Sequence, residues 1–161
     1  MCSLINQQLI NYLRMKARMN ISDVEPRIYK AMNAAESQIS IFDIDPKLLN
    51  LIKVRVSQIN GCGYCINKHA KDARKQGITE QRLYALSAWW ETPFFSEAER
   101  IALQLAEEVT FISKNGISDE IYKKAVNQFG EQKVAQLIFV ASVTNTWNRL
   151  AISAHKVAEQ D

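Results

Sequence analysis

Residues 45–77 read DPKLLNLIKVRVSQINGCGYCINKHAKDARKQG, and the fold turns on whether the apolar first half of that stretch is a helix or a buried strand. Val54, Val56 and Ile59 are β-branched and would suit a strand. Asp45-Pro46 argues the other way, because Asp caps helices, Pro fits their first turn, and the apolar run through Ile59 is longer than an ordinary strand. Gly61 then stops the helix. Leu48, Leu49, Leu51, Ile52, Val54, Val56 and Ile59 cannot share one narrow stripe, so the segment reads as a central helix packed against several others. After Gly63 no glycine or proline occurs until Gly77, which stands where a left-handed C-terminal cap belongs. Cys62 and Cys65 therefore begin the next helix.

Helical signals continue on both sides. Residues 1–24 carry Leu4, Ile5, Leu9, Ile10 and Leu13 at helical spacing and read as an N-terminal helical arm. Ser22-Asp23 can cap and Pro26 can open a helix whose stripe runs through Ile28, Met32, Ala35 and Ile39. Thr79 caps a helix holding Leu83, Leu86 and Trp89-Trp90, which Pro93 ends. Ser96 and Glu99 form a capping box for a helix closing near Gly116, and Ser118 caps another that ends at Gly130. Residues 131–158 hold no Gly or Pro and read as a long final helix. The Asn-Gly pairs at 60–61 and 115–116 fall at helix ends rather than in hairpins, so the prediction is an all-α orthogonal bundle, one domain spanning residues 1–161.

Composition narrows the function classes. Five Gly and three Pro among 161 residues are too few for a barrel of many short strands. The net charge of +3, 20 Lys and Arg against 17 Asp and Glu, is spread along the chain and does not favour nucleic acid. The apolar run from Leu137 to Val143 is far short of the roughly 20 residues of a membrane span. The N-terminus lacks the basic-then-apolar order of a secretory signal, and an odd count of three Cys argues against a disulfide framework of a secreted protein, so the cytoplasm is the expected compartment.

Chemistry concentrates at Cys62, Cys65 and His69, which at i, i+3 and i+7 share one helix face. At a helix N-terminus unpaired backbone N–H groups and the dipole favour thiolate, which singles out Cys62. The four-residue spacing from Cys65 lets His69 take the proton of that second sulfur, which singles out Cys65. Either way the pair can cycle between dithiol and disulfide, with a sulfenic acid formed on hydroperoxide attack and condensed by the partner thiol. Inert packing cysteines and a structural zinc site are the competing readings. Zinc needs a fourth ligand, for which only Cys2 and His155 stand out, and a helix-end dipole contact accounts for His155 without any function.

The stretch VRVSQINGCGYCINKHAKDARKQGITEQRLYALSAWWETPFFSEAERIAL, followed later by NTWNRLAIS, resembles the alkylhydroperoxidase AhpD-like branch of the carboxymuconolactone decarboxylase family over residues 25–155. The shared pattern is Glu-x11-Cys-x2-Cys-x3-His. The resemblance implies an AhpD-like all-α fold, a homo-oligomer (dimer, trimer or hexamer), and thiol-dependent reduction of alkyl hydroperoxides in antioxidant defence. It makes Cys65 the attacking thiol and Cys62 the resolving one. It implies no metal or organic cofactor, and an external dithiol protein as reductant, since no phosphate-binding glycine motif for a flavin or nicotinamide is present.

Two positions depart from the pattern. The relay glutamate falls at Asn50, which cannot exchange a proton at neutral pH, and Tyr64 precedes the second cysteine where a histidine is usual. Glu36 and Glu91 are the candidate replacements. The alternatives are a carboxymuconolactone decarboxylase-like lyase, whose chemistry needs no Cys-x-x-Cys, and a catalytically weakened oligomeric binding protein. Trp89, Trp90, Phe94 and Phe95 are expected to fill a core or an interface rather than form an apolar wall near the thiols, and Cys2 reads as an incidental thiol.

Overall fold

The computed structural model describes residues 16–158, which contain helices and no strand. The expected arm over residues 1–24 lies mostly outside that range, as does Cys2. The helices are α1 (Ile21–Val24), α2 (Pro26–Ile39), α3 (Pro46–Asn60), α4 (Gly63–Lys75), α5 (Glu80–Ala85), α6 (Glu97–Thr110), α7 (Ile112–Asn115) and α8 (Asp119–Ser153), with a 3-10 turn, Leu86–Glu91, after α5. The fold is the expected all-α AhpD-like bundle.

Local chemistry sets the boundaries. Asp45 caps α3 by accepting a hydrogen bond from Lys47 N at 2.8 Å, with Pro46 in the first turn. Ser96 and Glu99 form the capping box of α6. The cap of α2 is Glu25 rather than Ser22 or Asp23, which fall inside the one-turn α1 capped by Asn20. Helix α6 also stops earlier than expected, at Thr110, and Phe111 leads into the separate turn of α7 before Gly116. Gly130, at φ 77 and ψ 158, interrupts α8, so the chain from Ser118 onward is two helices in near succession.

Helix α3 is central, packing against α4, α6 and α8. Ile52 and Val56 enter a cluster with Leu105, Ala106, Val140 and Ala141. Leu51 and Val54 enter a second, with Ala73, Leu86, Trp89 and Leu103. A helix apolar on several sides is thus buried on two faces, and its β-branched residues serve packing, not a sheet. Fixing α3 in this way fixes the position of the turn that follows it.

Candidate functional site

That turn is built by Asn60-Gly61-Cys62. Gly61 adopts φ 70, and the amides of Gly61 and Cys62 donate to the carbonyls of Gln58 and Ser57, the latter at 3.0 Å, in the paired pattern that ends helices through a left-handed glycine. The chain leaves the turn with Cys62 extended, as N-cap of α4. The Cys62 Sγ accepts the Cys65 backbone N–H at 3.3 Å, so a sulfur takes the place usually held by a Ser or Asp oxygen. Cys62 and Cys65 are joined as a disulfide, both buried, with Ala151 of α8 packed against them.

A buried polar network holds the turn against α8. Asn60 Nδ2 donates to Asn145 Oδ1 at 2.8 Å and to Asn148 Oδ1 at 2.9 Å, while Asn148 Nδ2 donates to Ser57 Oγ at 3.1 Å. Asn145 Nδ2 reaches Thr110 of α6, and Arg149 donates to Asn145 Oδ1. Asn148 is fully buried, so each of these bonds replaces water that cannot enter. The stretches VRVSQIN and NTWNRLAIS that carry the family resemblance contain these residues, but sequence reasoning gave Ser57, Asn60 and Asn145 no role; the signal for the last was its spacing of three and four from Asn148 and Arg149 on one helix.

Cys65 opens on a cavity of about 530 Å³ lined by His69, Tyr64, Tyr29, Trp147, Leu150 and Glu36, among others. Residues 17 and 19–22 cross one side of it, anchored by a hydrogen bond from Arg18 N to Ala154 O at 3.0 Å. His69 lies one turn beyond Cys65 on α4 and is 8% exposed. Burial holds its pKa down to about 3, assisted by the charges of Lys68 and Lys53 and opposed by Asp72. The imidazole is neutral at physiological pH and ready to accept a proton once a negative sulfur appears beside it.

The remaining predicted residues separate. Tyr64 lines the cavity with its ring 4.3 Å from the Lys156 ammonium, a cation–π contact. Lys156 Nζ also donates to Tyr29 Oη at 3.2 Å; burial works to lower the lysine pKa, but the bonds to the two tyrosines leave it raised. Asn50 sits half-buried on α3 and does not line the cavity. Glu36 does, and it forms an ion pair with Lys53, one turn after Asn50. Glu91, itself exposed, ends the 3-10 turn and does not line the cavity. Trp89 and Phe95 are buried in the second core cluster, so the aromatic wall at the thiols comes from Tyr29, Tyr64 and Trp147 instead. Among the described residues no three His, Cys, Asp or Glu side chains converge to hold a metal ion, and no helix is long and apolar enough to cross a membrane.

Fold and site together define an AhpD-like helical bundle with a Cys-x-x-Cys disulfide at a helix N-terminus. Residues 26–108 match the carboxymuconolactone decarboxylase family, and the chain belongs to it. It is 38% identical over 139 residues to the uncharacterized protein YdfG of Bacillus subtilis, covering 86% of this chain and 95% of that one. The solved structure of ATU0492 from Agrobacterium tumefaciens, a protein of unknown function and candidate antioxidant defence protein AhpD, superposes with a TM-score of 0.88 at 30% identity. That match covers 91% of this chain and all of the other. The debrominase Bmp8 shares the fold, with a TM-score of 0.73 at 20% identity over 85% of this chain and 74% of its own. At the level of family, these likenesses support a peroxidase-like antioxidant role.

Proposed function

We propose that this protein is a thiol-dependent hydroperoxide reductase in which Cys65 attacks and Cys62 resolves. The observation that carries the reading is a disulfide-forming pair at a helix N-terminus whose second cysteine shares a mostly apolar cavity with a neutral, buried histidine one turn further on. In the reduced protein His69 takes the Cys65 proton. The thiolate attacks the distal oxygen of the hydroperoxide, the O–O bond breaks, and the alkoxide leaves with a proton as alcohol. Cys65 is then a sulfenic acid. Cys62 attacks its sulfur, hydroxide leaves and is protonated to water, and the disulfide closes. An external dithiol returns two electrons and two protons. The His69 pKa of about 3 belongs to the disulfide state, where no thiolate faces it; a thiolate at Cys65 raises it, so reduction of the disulfide is coupled to proton uptake.

Glu36, paired with Lys53 on the same cavity, takes the place of the missing relay carboxylate at Asn50 and passes the His69 proton to solvent. The lyase alternative gains nothing from the cysteine pair, and for that reason ranks second. The direct test is mass spectrometry of fully reduced protein mixed with one equivalent of cumene hydroperoxide. A loss of about 2 Da mapping to Cys62–Cys65 within the mixing time supports the reading. Unchanged mass, or slow oxygen addition elsewhere in the chain, defeats it.

A further inference from the structure

The two sulfurs of the disulfide do not face the same space. The cavity described above is lined by Cys65 and not by Cys62. A second cavity, about 560 Å³ and more open, is lined by Cys62 and not by Cys65, together with Gly61, Gly63, Ile152 and His155. Tyr64, Ala151, Lys156 and Val157 border both and form the partition. Displacement at sulfur proceeds in line, so a thiol that is to expel Cys65 must approach Cys62 from the side away from Cys65, where the second cavity lies.

Two further features bear on that side. Apart from its chain neighbours, a Cβ added at Gly61 or at Gly63 would meet no atom within 4 Å, so the two positions flanking Cys62 open on free space. His155 follows the last turn of α8 in the left-handed region at φ 51, where its amide and that of Lys156 bond back to the carbonyls of Ile152 and Ala151 and close the helix as at Gly61, and it lines this cavity. Its Nδ1 is buried without a hydrogen-bond partner among the described residues. The helix-end dipole does not account for that orphaned nitrogen.

We propose, resting on the redox reading above, that the disulfide is served from two sides: hydroperoxide reaches Cys65 through the first cavity, and a dithiol reductant reaches Cys62 through the second, beside His155. The step balances. One thiol of the dithiol gives its proton to His155 and attacks Cys62 Sγ; the Cys62–Cys65 bond breaks, and Cys65 leaves as a thiolate that takes a proton from solvent. The second thiol of the reductant then attacks the mixed disulfide, releasing Cys62 as a thiolate and leaving the reductant as a cyclic or intramolecular disulfide. Two electrons pass from dithiol to protein. The other titratable groups on this cavity are Tyr64 and Lys156, and the lysine charge favours both the attacking and the leaving thiolate.

Stopped flow separates the two half-reactions. Oxidation is followed by mixing reduced protein with cumene hydroperoxide, and reduction by mixing protein oxidised with diamide with dithiothreitol. Gly63→Leu fills the mouth of the second cavity at a position that is not left-handed and has open space, so the variant folds. Asn33→Trp, from an exposed position, narrows the first. Gly63→Leu is expected to slow reduction at least tenfold with oxidation within twofold, and Asn33→Trp to do the reverse. His155→Asn keeps a residue that tolerates the left-handed backbone and removes the base. It is expected to slow reduction severalfold at pH 7 and not above pH 9.5, where the dithiol ionises unaided. Normal reduction in Gly63→Leu, or the two cavity variants slowing the same half-reaction, overturns the proposal. Because diamide forms the disulfide independently, a wild type inert to hydroperoxide would defeat the peroxidase reading while the reduction arm still decides this one.

Discussion

The middle of α3 and its C-terminal end are held in place by different physics. Its middle is locked by shape: Leu51, Ile52, Val54 and Val56 are essentially without solvent exposure and touch side chains of α4, α6 and α8. Its C-terminal end is locked by direction, through Ser57 and Asn60 bonded to Asn145 and Asn148. Apolar packing is strong but tolerant of small sliding, whereas a hydrogen bond weakens within a few tenths of an ångström and a few tens of degrees. A turn that must hold two sulfurs within bonding reach uses the second kind of restraint, and the mass of the bundle uses the first.

The largest expected effect falls on the sulfurs themselves. Cys65→Ser is expected to abolish hydroperoxide turnover, while Cys62→Ser allows a single burst and leaves a sulfenic acid that dimedone traps; equal bursts in both variants would reverse the role assignment. Next comes the packed middle. Ile52→Ala is expected to lower the unfolding free energy by about 2–5 kcal/mol in a urea titration, and the fraction that remains folded should oxidise at the wild-type rate.

Asn148→Ala tests the opposite combination. Removing one of the two acceptors of the Asn60 amide and the donor to Ser57 Oγ costs about 1–3 kcal/mol, less than the core truncation, but disulfide closure measured by quenched mass spectrometry should slow. If Asn148→Ala destabilises without slowing closure, the contrast between shape and direction fails. Glu36→Gln is expected to slow steady-state turnover up to about tenfold with little change in stability, and Asn50→Glu in that background is expected to restore part of the rate.

The last effect is a slope, absent at neutral pH and growing only as the medium is acidified. His69 has a folded pKa of about 3, below the unfolded value, so the unfolded chain binds the proton first as pH falls. Stability from this group is fully present above about pH 6.5 and falls by about 1.4 kcal/mol per pH unit between there and pH 3. Acid titration of His69→Gln should show that component removed, and an unchanged slope would mean that the imidazole is better solvated than its burial implies.

Much of this was legible without coordinates because it is local. Asp45-Pro46, the Ser96–Glu99 box and Gly61 each act within one turn of themselves, so their caps and stops follow from residue chemistry alone. The shorter range of α6 and the division of the fifth helix were not legible, since Phe111 and Ala88 have no side-chain chemistry that ends a helix; tertiary contacts decide there. The same split runs through the site. Cys62, Cys65 and His69 lie within two turns of one helix, and spacing places them on one face. The Glu36–Lys53 pair spans 17 residues and the Asn60–Asn148 bond 88, and no spacing rule reaches that far.

The sequence by itself therefore determined an all-helical chain with two cysteines opening a helix, because capping, periodicity and thiol chemistry are properties of neighbouring residues. Only the tertiary structure decided which carboxylate shares the cavity of Cys65, which asparagines hold the redox turn, and that the two sulfurs face separate cavities. Those depend on where α8 crosses the central helix and where α2 packs on α8, and a crossing is set by the packing of whole faces, which no single stretch of the chain contains.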